Sequence, residues 1–213
     1  MANRLVLNAC STYGRLLVTF ILGLFSTWYI TLNLGLQGLG LVGLAAGSFG
    51  LSMALERGSD AAIGRELAEA IAKRDRGEIS GVSAATFAVC VLLGLLVVGI
   101  TLVLIPVILS GNLNLETQGD NVQRAFSMLL LCEGLAGALK IMGTLWRKAC
   151  FASRNILVDN FLMILERLGR PVVLLVVFNT LDGGGQISAV LVWIGLGTLV
   201  WSALYVAATA VVS

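Results

Sequence analysis

Long apolar runs alternate with short polar segments along the whole chain. A helix needs about 20 predominantly apolar residues to cross the roughly 30 Å hydrocarbon layer of a membrane. Six runs approach or exceed that length, at about residues 5–29, 39–55, 81–109, 125–145, 156–178 and 187–208. The pattern predicts an all-α protein, a polytopic membrane helix bundle of about six transmembrane helices that forms a single membrane domain over residues 1–213.

The predicted spans differ in regularity and in how they are connected. The uncharged segment Leu32–Gly40 predicts a short turn between the first two spans. The fifth span contains several charges and Pro171, so we expect it to be the least regular. The first span resembles a signal sequence, but it holds Arg15 and no convincing small-residue cleavage site. We therefore expect it to be a retained helix.

Residues 56–80 hold eleven charged residues between two apolar runs. We expect a cytoplasmic amphipathic helix there, which begins at Ser59 or Asp60 and ends at Gly77. Its apolar side would hold Ile63, Leu67 and Ile71, and the i,i+4 spacing of Glu69 and Lys73 predicts an ion pair. The charges either set the topology of the chain, which is the simpler interpretation, or contact anionic lipid or a cytoplasmic partner.

The distribution of basic residues predicts the orientation of the chain in the membrane. The loops after the second and fourth spans hold five and three Lys or Arg residues, and the loops after the first, third and fifth spans hold none through Gln123. Because basic loops stay in the cytoplasm, we expect residues 56–80, residues 146–155 and both termini on that side. The abrupt, uncharged ending ATAVVS suits one half of a longer protein.

Composition agrees with a membrane protein and argues against several other classes. The chain is 58% hydrophobic and only 12% charged, against about 25% charged residues in soluble domains. A net charge of +2 gives no support for nucleic-acid binding. There is no His, and Cys10, Cys90 and Cys132 lie in apolar runs, so we expect no metal, no cofactor and no disulfide. No HExxH, GxSxG, P-loop or paired-aspartate motif occurs, so we expect no catalytic residues and no enzyme activity.

Small residues recur on one face of the second predicted span. Gly40, Gly43, Gly47 and Gly50 are spaced by three and four residues, and Gly43 and Gly47 form a GxxxG pair. Such a face lets two helix backbones approach closely. Packing against a neighbouring span of the same chain is the simpler interpretation, and self-association or packing on another subunit is the alternative.

Charged residues inside the predicted spans are candidates for a binding cavity. Each costs roughly 2.5–3.5 kcal/mol at the bilayer centre, so it usually faces a bundle interior or a wet cavity. Glu133 and Lys140 share a helix face, and Glu166 and Arg170 have the i,i+4 spacing of a pair. The functional interpretation is a cavity in which Arg15, Lys140 and Arg170 attract an anionic headgroup and the two glutamates balance the charge. The alternative is internal charge pairing, with snorkelling of Arg15 or Lys140.

Several short motifs occur in a fixed order along the chain. Asn8 and Tyr13 accompany the first span, and Leu34-Gly35 follows it. Leu55-Glu56-Arg57-Gly58 then leads to Ala61, Ala62 and Arg65, and a small loop, an Asn and the next span follow one another at Ala152–Ile156. In these motifs the chain resembles the N-terminal half of the polysaccharide flippases of the multidrug/oligosaccharidyl-lipid/polysaccharide exporter superfamily.

The resemblance implies a lobe of a transporter in the bacterial inner membrane. Flippases of this family move polyprenyl-pyrophosphate-linked saccharide units by alternating access between two lobes that line a cationic cavity, and this chain has the spans of one lobe. Because repeat-built transporters need both halves around the central site, we expect one of three things: a fragment, a half-transporter with a second lobe or homodimer partner, or a non-transporting accessory subunit of a larger membrane complex. The implied partners are membrane lipids, a lipid-linked oligosaccharide and that second membrane component.

Overall fold

The protein is a bundle of long helices. The computed structural model describes residues 2–48, 64–73, 76–107, 120–152, 156–181 and 186–212, and within these ranges it contains helices and no strand. The helices are α1 (Ala2–Ser48), α2 (64–73), α3 (Arg76–Val107), α4 (Asp120–Ala152), α5 (Ile156–Thr180) and α6 (Ile187–Val212). The predicted all-α membrane helix bundle is confirmed.

Four segments of the described chain are long and apolar enough to cross a membrane. They are Ala9–Gly47, Gly77–Val107, Asp120–Thr144 and Ile187–Val211. α5 is not among them, because it carries Asp159, Glu166, Arg167 and Arg170 within its 25 residues. The chain is thus a membrane protein, and its inner-membrane location and its orientation stay predictions.

α1 folds back on itself at Gly35, the one residue within it that departs from helical geometry (φ 69°, ψ −173°). Before Gly35, α1 runs parallel to α5: Asn160 donates a hydrogen bond to the Ser11 hydroxyl at 2.8 Å, and Tyr29 packs edge-on against Phe178. After Gly35, the carbonyl of Val42 accepts a hydrogen bond from Arg170. Arg170 lies between Asn160 and Phe178 along α5. The second segment of α1 therefore returns along α5.

We expect Gly35→Ala to lower the free energy of unfolding by about 1–3 kcal/mol, because the backbone angles of Gly35 lie in a region that is nearly restricted to glycine. Nothing among the described residues lies within 4 Å of a Cβ added there, so the cost is backbone strain alone. Equilibrium unfolding with SDS in mixed micelles measures it. Gly40→Ala is the matched control, since Gly40 is also open but helical. Equal stability of the two variants would contradict the role given to Gly35.

α4 is the central helix of the bundle, in contact with α1, α3, α5 and α6. Phe126 and Leu129 of α4, Leu174 of α5 and Leu191 of α6 are completely buried in one apolar core. α3 packs mainly on α4, through a smaller cluster around Cys90, Val97 and Ile141. Many leucines on the outer faces are exposed, as expected of helix surfaces that contact lipid.

Close backbone packing occurs at glycines other than the predicted ones. Nothing among the described residues lies within 4 Å of a Cβ built at Gly40, Gly43 or Gly47, and Gly50 lies outside the described ranges. The expected packing of these three glycines against a neighbouring span is therefore wrong within the described part of the chain. The close approaches are found at Gly134 against Thr101, Gly169 against Trp201, Gly195 against Leu129 and Cys132, and Gly197 against Val173.

Several predicted boundaries also need correction. Segment 32–40 is helical on both sides of Gly35, so the turn is one residue long. α4 continues to Ala152, which places Arg147 in a helix and not in a loop. α5 is continuous through Pro171, and Gly77 lies in the first turn of α3 instead of ending a helix.

The charged connection before α3 contains the short helix α2. Leu67 is buried there, as predicted for one side of an amphipathic helix, and Ala70 is buried beside it. The expected pair is present, since Lys73 Nζ lies 3.3 Å from Glu69 and also 2.9 Å from Glu78. Hydrogen bonds to the carboxylates of Glu78 and Glu69 raise the pKa of Lys73. The proposed start of this helix, Ser59 or Asp60, and Ile63 lie outside the described residues.

Candidate functional site: a charged cavity inside the bundle

A cavity of about 430 Å³ lies between α1, α4, α5 and α6. Both segments of α1 line it, because the fold-back at Gly35 brings residues 39–46 opposite residues 19–30. Four of the five charged residues singled out in the sequence are on its wall: Glu133, Lys140, Glu166 and Arg170. Arg15 is not. Its guanidinium contacts the sulfur of Met163 on α5, outside the cavity wall.

The charges on the wall have a positive balance. Arg167 also lines the cavity, although the sequence pattern did not single it out as a site residue. Together with Lys140 and Arg170 it gives three basic side chains against the two glutamates, a formal charge of +1. The partly buried members of this set, Lys140 and Arg170, act more strongly on an anion than they would in water.

Part of this charge is engaged in an ion-pair network between α4 and α5. Glu166 lies 3.9 Å from Lys140 and 3.9 Å from Arg147, and Arg147 continues to Asp159 at 3.6 Å. The side chains of Arg147 and Asp159 are only 6% and 9% exposed. The network is therefore a buried cross-link at one end of the cavity.

Neither Arg147 nor Asp159 was predicted to belong to the site. The sequence pattern predicts a cytoplasmic loop for Arg147 and its basic neighbours, and it places Asp159 in an apolar span. An Asp in an apolar helix is costly to bury without a partner. Its presence among apolar residues is therefore the signal in the sequence for a nearby cation. Which cation it meets depends on how α4 and α5 pack.

Arg170 is a cation of the cavity wall that has no carboxylate partner among the described residues. One guanidinium nitrogen, Nη2, donates to the carbonyl of Val42 at 3.4 Å, and Nε is buried without a hydrogen-bond partner among the described residues. The expected i,i+4 pair with Glu166 is wrong, because Glu166 pairs with Lys140 and Arg147 instead. A partly buried guanidinium that lacks a carboxylate is costly, and a ligand anion would reduce this cost.

Hydroxyl groups from α1 and α6 complete the polar part of the wall. Ser26, Thr27 and Thr198 donate their hydroxyl hydrogens to carbonyls of their own helices, those of Leu22, Gly23 and Ile194, at 2.8–3.1 Å. A hydroxyl whose hydrogen is engaged in this way still has lone pairs that accept a hydrogen bond. These oxygens are therefore acceptors for any ligand in the cavity.

The described residues contain no group of three or more Cys, Asp or Glu side chains arranged to hold a metal ion. The wall is largely apolar and carries guanidinium donors on α5, an ammonium donor at Lys140 of α4 and hydroxyl acceptors on α1 and α6. Fold and site together define a helical membrane protein with a charged cavity between its helices. Comparisons with protein-family models, curated proteins and solved structures gave no match to this chain.

Proposed function

We propose that the chain is one lobe of a membrane transporter whose cavity binds the phosphate groups of a lipid-linked saccharide, of the polyprenyl-pyrophosphate type that the resemblance to polysaccharide flippases implies. The observation that carries the proposal is Arg170, a cavity guanidinium without a carboxylate partner among the described residues. Such a group favours an anionic oxygen, and its planar fork of N–H donors matches phosphate geometry.

The other wall groups support the same ligand. Arg167 adds a second guanidinium three residues from Arg170, on the same face of α5. The hydroxyl acceptors of Ser26, Thr27 and Thr198 suit the O–H donors of a sugar. A volume of about 430 Å³ accommodates a phosphorylated sugar but not a whole polyprenyl chain, which would lie in the lipid.

Transport also needs a way to expose the cavity to each side of the membrane in turn. In repeat-built transporters this motion is the rocking of two halves around a central site. One lobe alone therefore binds but does not transport, and the proposal includes a second lobe, either a second copy of this chain or another polypeptide.

Surface glycan export tests the proposal, in a host that depends on this gene. Arg170→Gln should reduce export by about tenfold or more, since a charge-assisted hydrogen bond contributes roughly 1.5–3 kcal/mol. Lys73→Gln is the matched control, because it also removes one cation but lies on α2 and not on the cavity wall. Protein levels in the membrane must be equal for both variants. Undiminished export by Arg170→Gln would remove the proposal.

A second candidate function is a non-transporting subunit of a larger membrane complex. The open glycine face of Gly40, Gly43 and Gly47 favours it, because it meets no other described residue of the chain and admits a close-packed helix from elsewhere. In this case the buried network of Arg147, Asp159 and Glu166 holds the bundle together and the cavity has no ligand. Purification in mild detergent discriminates, since a stoichiometric larger complex supports this function and a lone or self-paired chain contradicts it.

A further inference from the structure

We propose that the ligand of the cavity carries a primary ammonium group close to its phosphate, and that Glu133 is the residue that binds the ammonium. The inference rests on the proposed function, because it concerns the same cavity and assigns a second charged group of the same ligand. It names a substrate class narrower than an anion, namely a zwitterionic phosphate ester.

Glu133 is an acid on the cavity wall that the chain itself does not neutralise. It has no ion pair and no hydrogen bond within the described part of the chain, whereas the other wall acid, Glu166, has two cationic partners. Lys140, on the same helix, is seven residues and hence about 10 Å of helix away, and it is engaged by Glu166. A carboxylate on a largely apolar wall is costly unless a cation meets it.

Besides the Lys140–Glu166 pair, the cavity wall carries hydrogen-bond donors and acceptors that are not paired with each other. The donors are Arg167 and Arg170 of α5. The acceptors are Glu133 of α4 and the hydroxyls of Ser26 and Thr198, whose hydrogens are used within their own helices. A ligand that is only an anion satisfies the donors but leaves Glu133 unpaired and is repelled by it. A ligand with both charges satisfies both kinds of group.

The acceptors on the wall favour a primary over a quaternary ammonium. A primary ammonium has three N–H donors, which can reach a carboxylate and hydroxyl oxygens together. A quaternary ammonium has none and is bound in proteins by a cage of aromatic rings. Trp201 is the aromatic residue on the described wall, and its indole N–H is donated to the carbonyl of Leu165. Two sources supply a phosphate beside a primary ammonium: the phosphatidylethanolamine headgroup and an amino-sugar phosphate.

Lipid retention by the purified full-length chain tests the inference. The protein is equilibrated in nanodiscs of equal parts phosphatidylethanolamine, phosphatidylcholine and phosphatidylglycerol, and the lipids that stay bound are counted by native mass spectrometry. The wild type should retain phosphatidylethanolamine about tenfold over each of the others, from hydrogen bonds to charged groups. Glu133→Gln should abolish this preference and keep phosphatidylglycerol, while Arg170→Gln should lower retention of all three lipids. Glu69→Gln, on α2, is the control that should behave as wild type.

The outcomes separate this inference from the proposed function. Equal retention of the three lipids by the wild type, or an unchanged preference in Glu133→Gln, overturns the ammonium site but leaves the phosphate site intact if Arg170→Gln still lowers retention. Unchanged retention in Arg170→Gln overturns both. Displacement of phosphatidylethanolamine by glucosamine 1-phosphate supports the ammonium site and extends it to amino-sugar phosphates, whereas a preference that resists displacement supports it for the lipid headgroup alone.

Discussion

Replacing Arg147 by Met should lower the free energy of unfolding by about 3–5 kcal/mol, the largest effect we expect from a single substitution in this chain. Arg147 lies 3.6 Å from Asp159 and 3.9 Å from Glu166, and both its side chain and that of Asp159 are nearly inaccessible. Met fills much of the volume but removes the charge, which leaves Asp159 buried without this cation. Equilibrium unfolding with SDS, followed by circular dichroism, measures the loss.

The double variant Arg147→Met, Asp159→Leu distinguishes an uncompensated charge from a packing defect. Replacing both members of a buried pair with apolar residues of similar size is often neutral or stabilising, so most of the stability should return. Glu166 keeps Lys140 as a partner in both variants. If the double variant is as unstable as the single one, the loss comes from packing and the ion pair contributes little.

Gly169→Ala should destabilise the bundle by about 1–3 kcal/mol, although alanine is the better helix former by about 1 kcal/mol. A Cβ at Gly169 would overlap the indole ring of Trp201 on α6. The ring cannot move aside freely, because its Nε1 donates a hydrogen bond to the carbonyl of Leu165 at 3.2 Å. α5 and α6 must therefore separate or this hydrogen bond must break. Thermal unfolding in detergent and the tryptophan fluorescence spectrum report the two effects.

Gly47→Ala is the matched control for Gly169→Ala, because it makes the same chemical change in a helix where the added methyl group meets no described atom. Its stability should equal or exceed that of the wild type by up to about 1 kcal/mol. A destabilised Gly47→Ala together with a neutral Gly169→Ala would mean that close helix packing occurs at the glycine face of Gly40, Gly43 and Gly47 and not at Gly169.

The cavity has two kinds of charge, with different expected roles. Lys140, Glu166, Arg147 and Asp159 form a chain of pairs that links α4 to α5, so their substitution should act mainly on stability. Arg170 and Glu133 have no ion pair among the described residues, so their substitution should act mainly on ligand binding. Comparing unfolding and lipid retention for one member of each kind separates the two roles.

The sequence by itself determined the class of the protein and most of the cavity charges. Apolar runs of membrane-spanning length define helices locally, because a backbone in lipid must satisfy its own hydrogen bonds. Charges in such runs must turn toward the bundle interior, so Glu133, Lys140, Glu166 and Arg170 could be singled out before their neighbours were known. Arg15 also contacts another helix of the bundle, through Met163 of α5, but it does not line the cavity.

Only the tertiary structure decided which residues meet. Arg147 pairs with Asp159, and the close approach between helices occurs at Gly169 and not at Gly43. Contact between helices depends on their relative rotation and depth, which no periodic pattern within one helix specifies. The cavity itself exists because a single glycine, Gly35, turns α1 back along α5. The local sequence predicts that these charges face the interior, and the packing of α1, α4, α5 and α6 determines which of them form ion pairs.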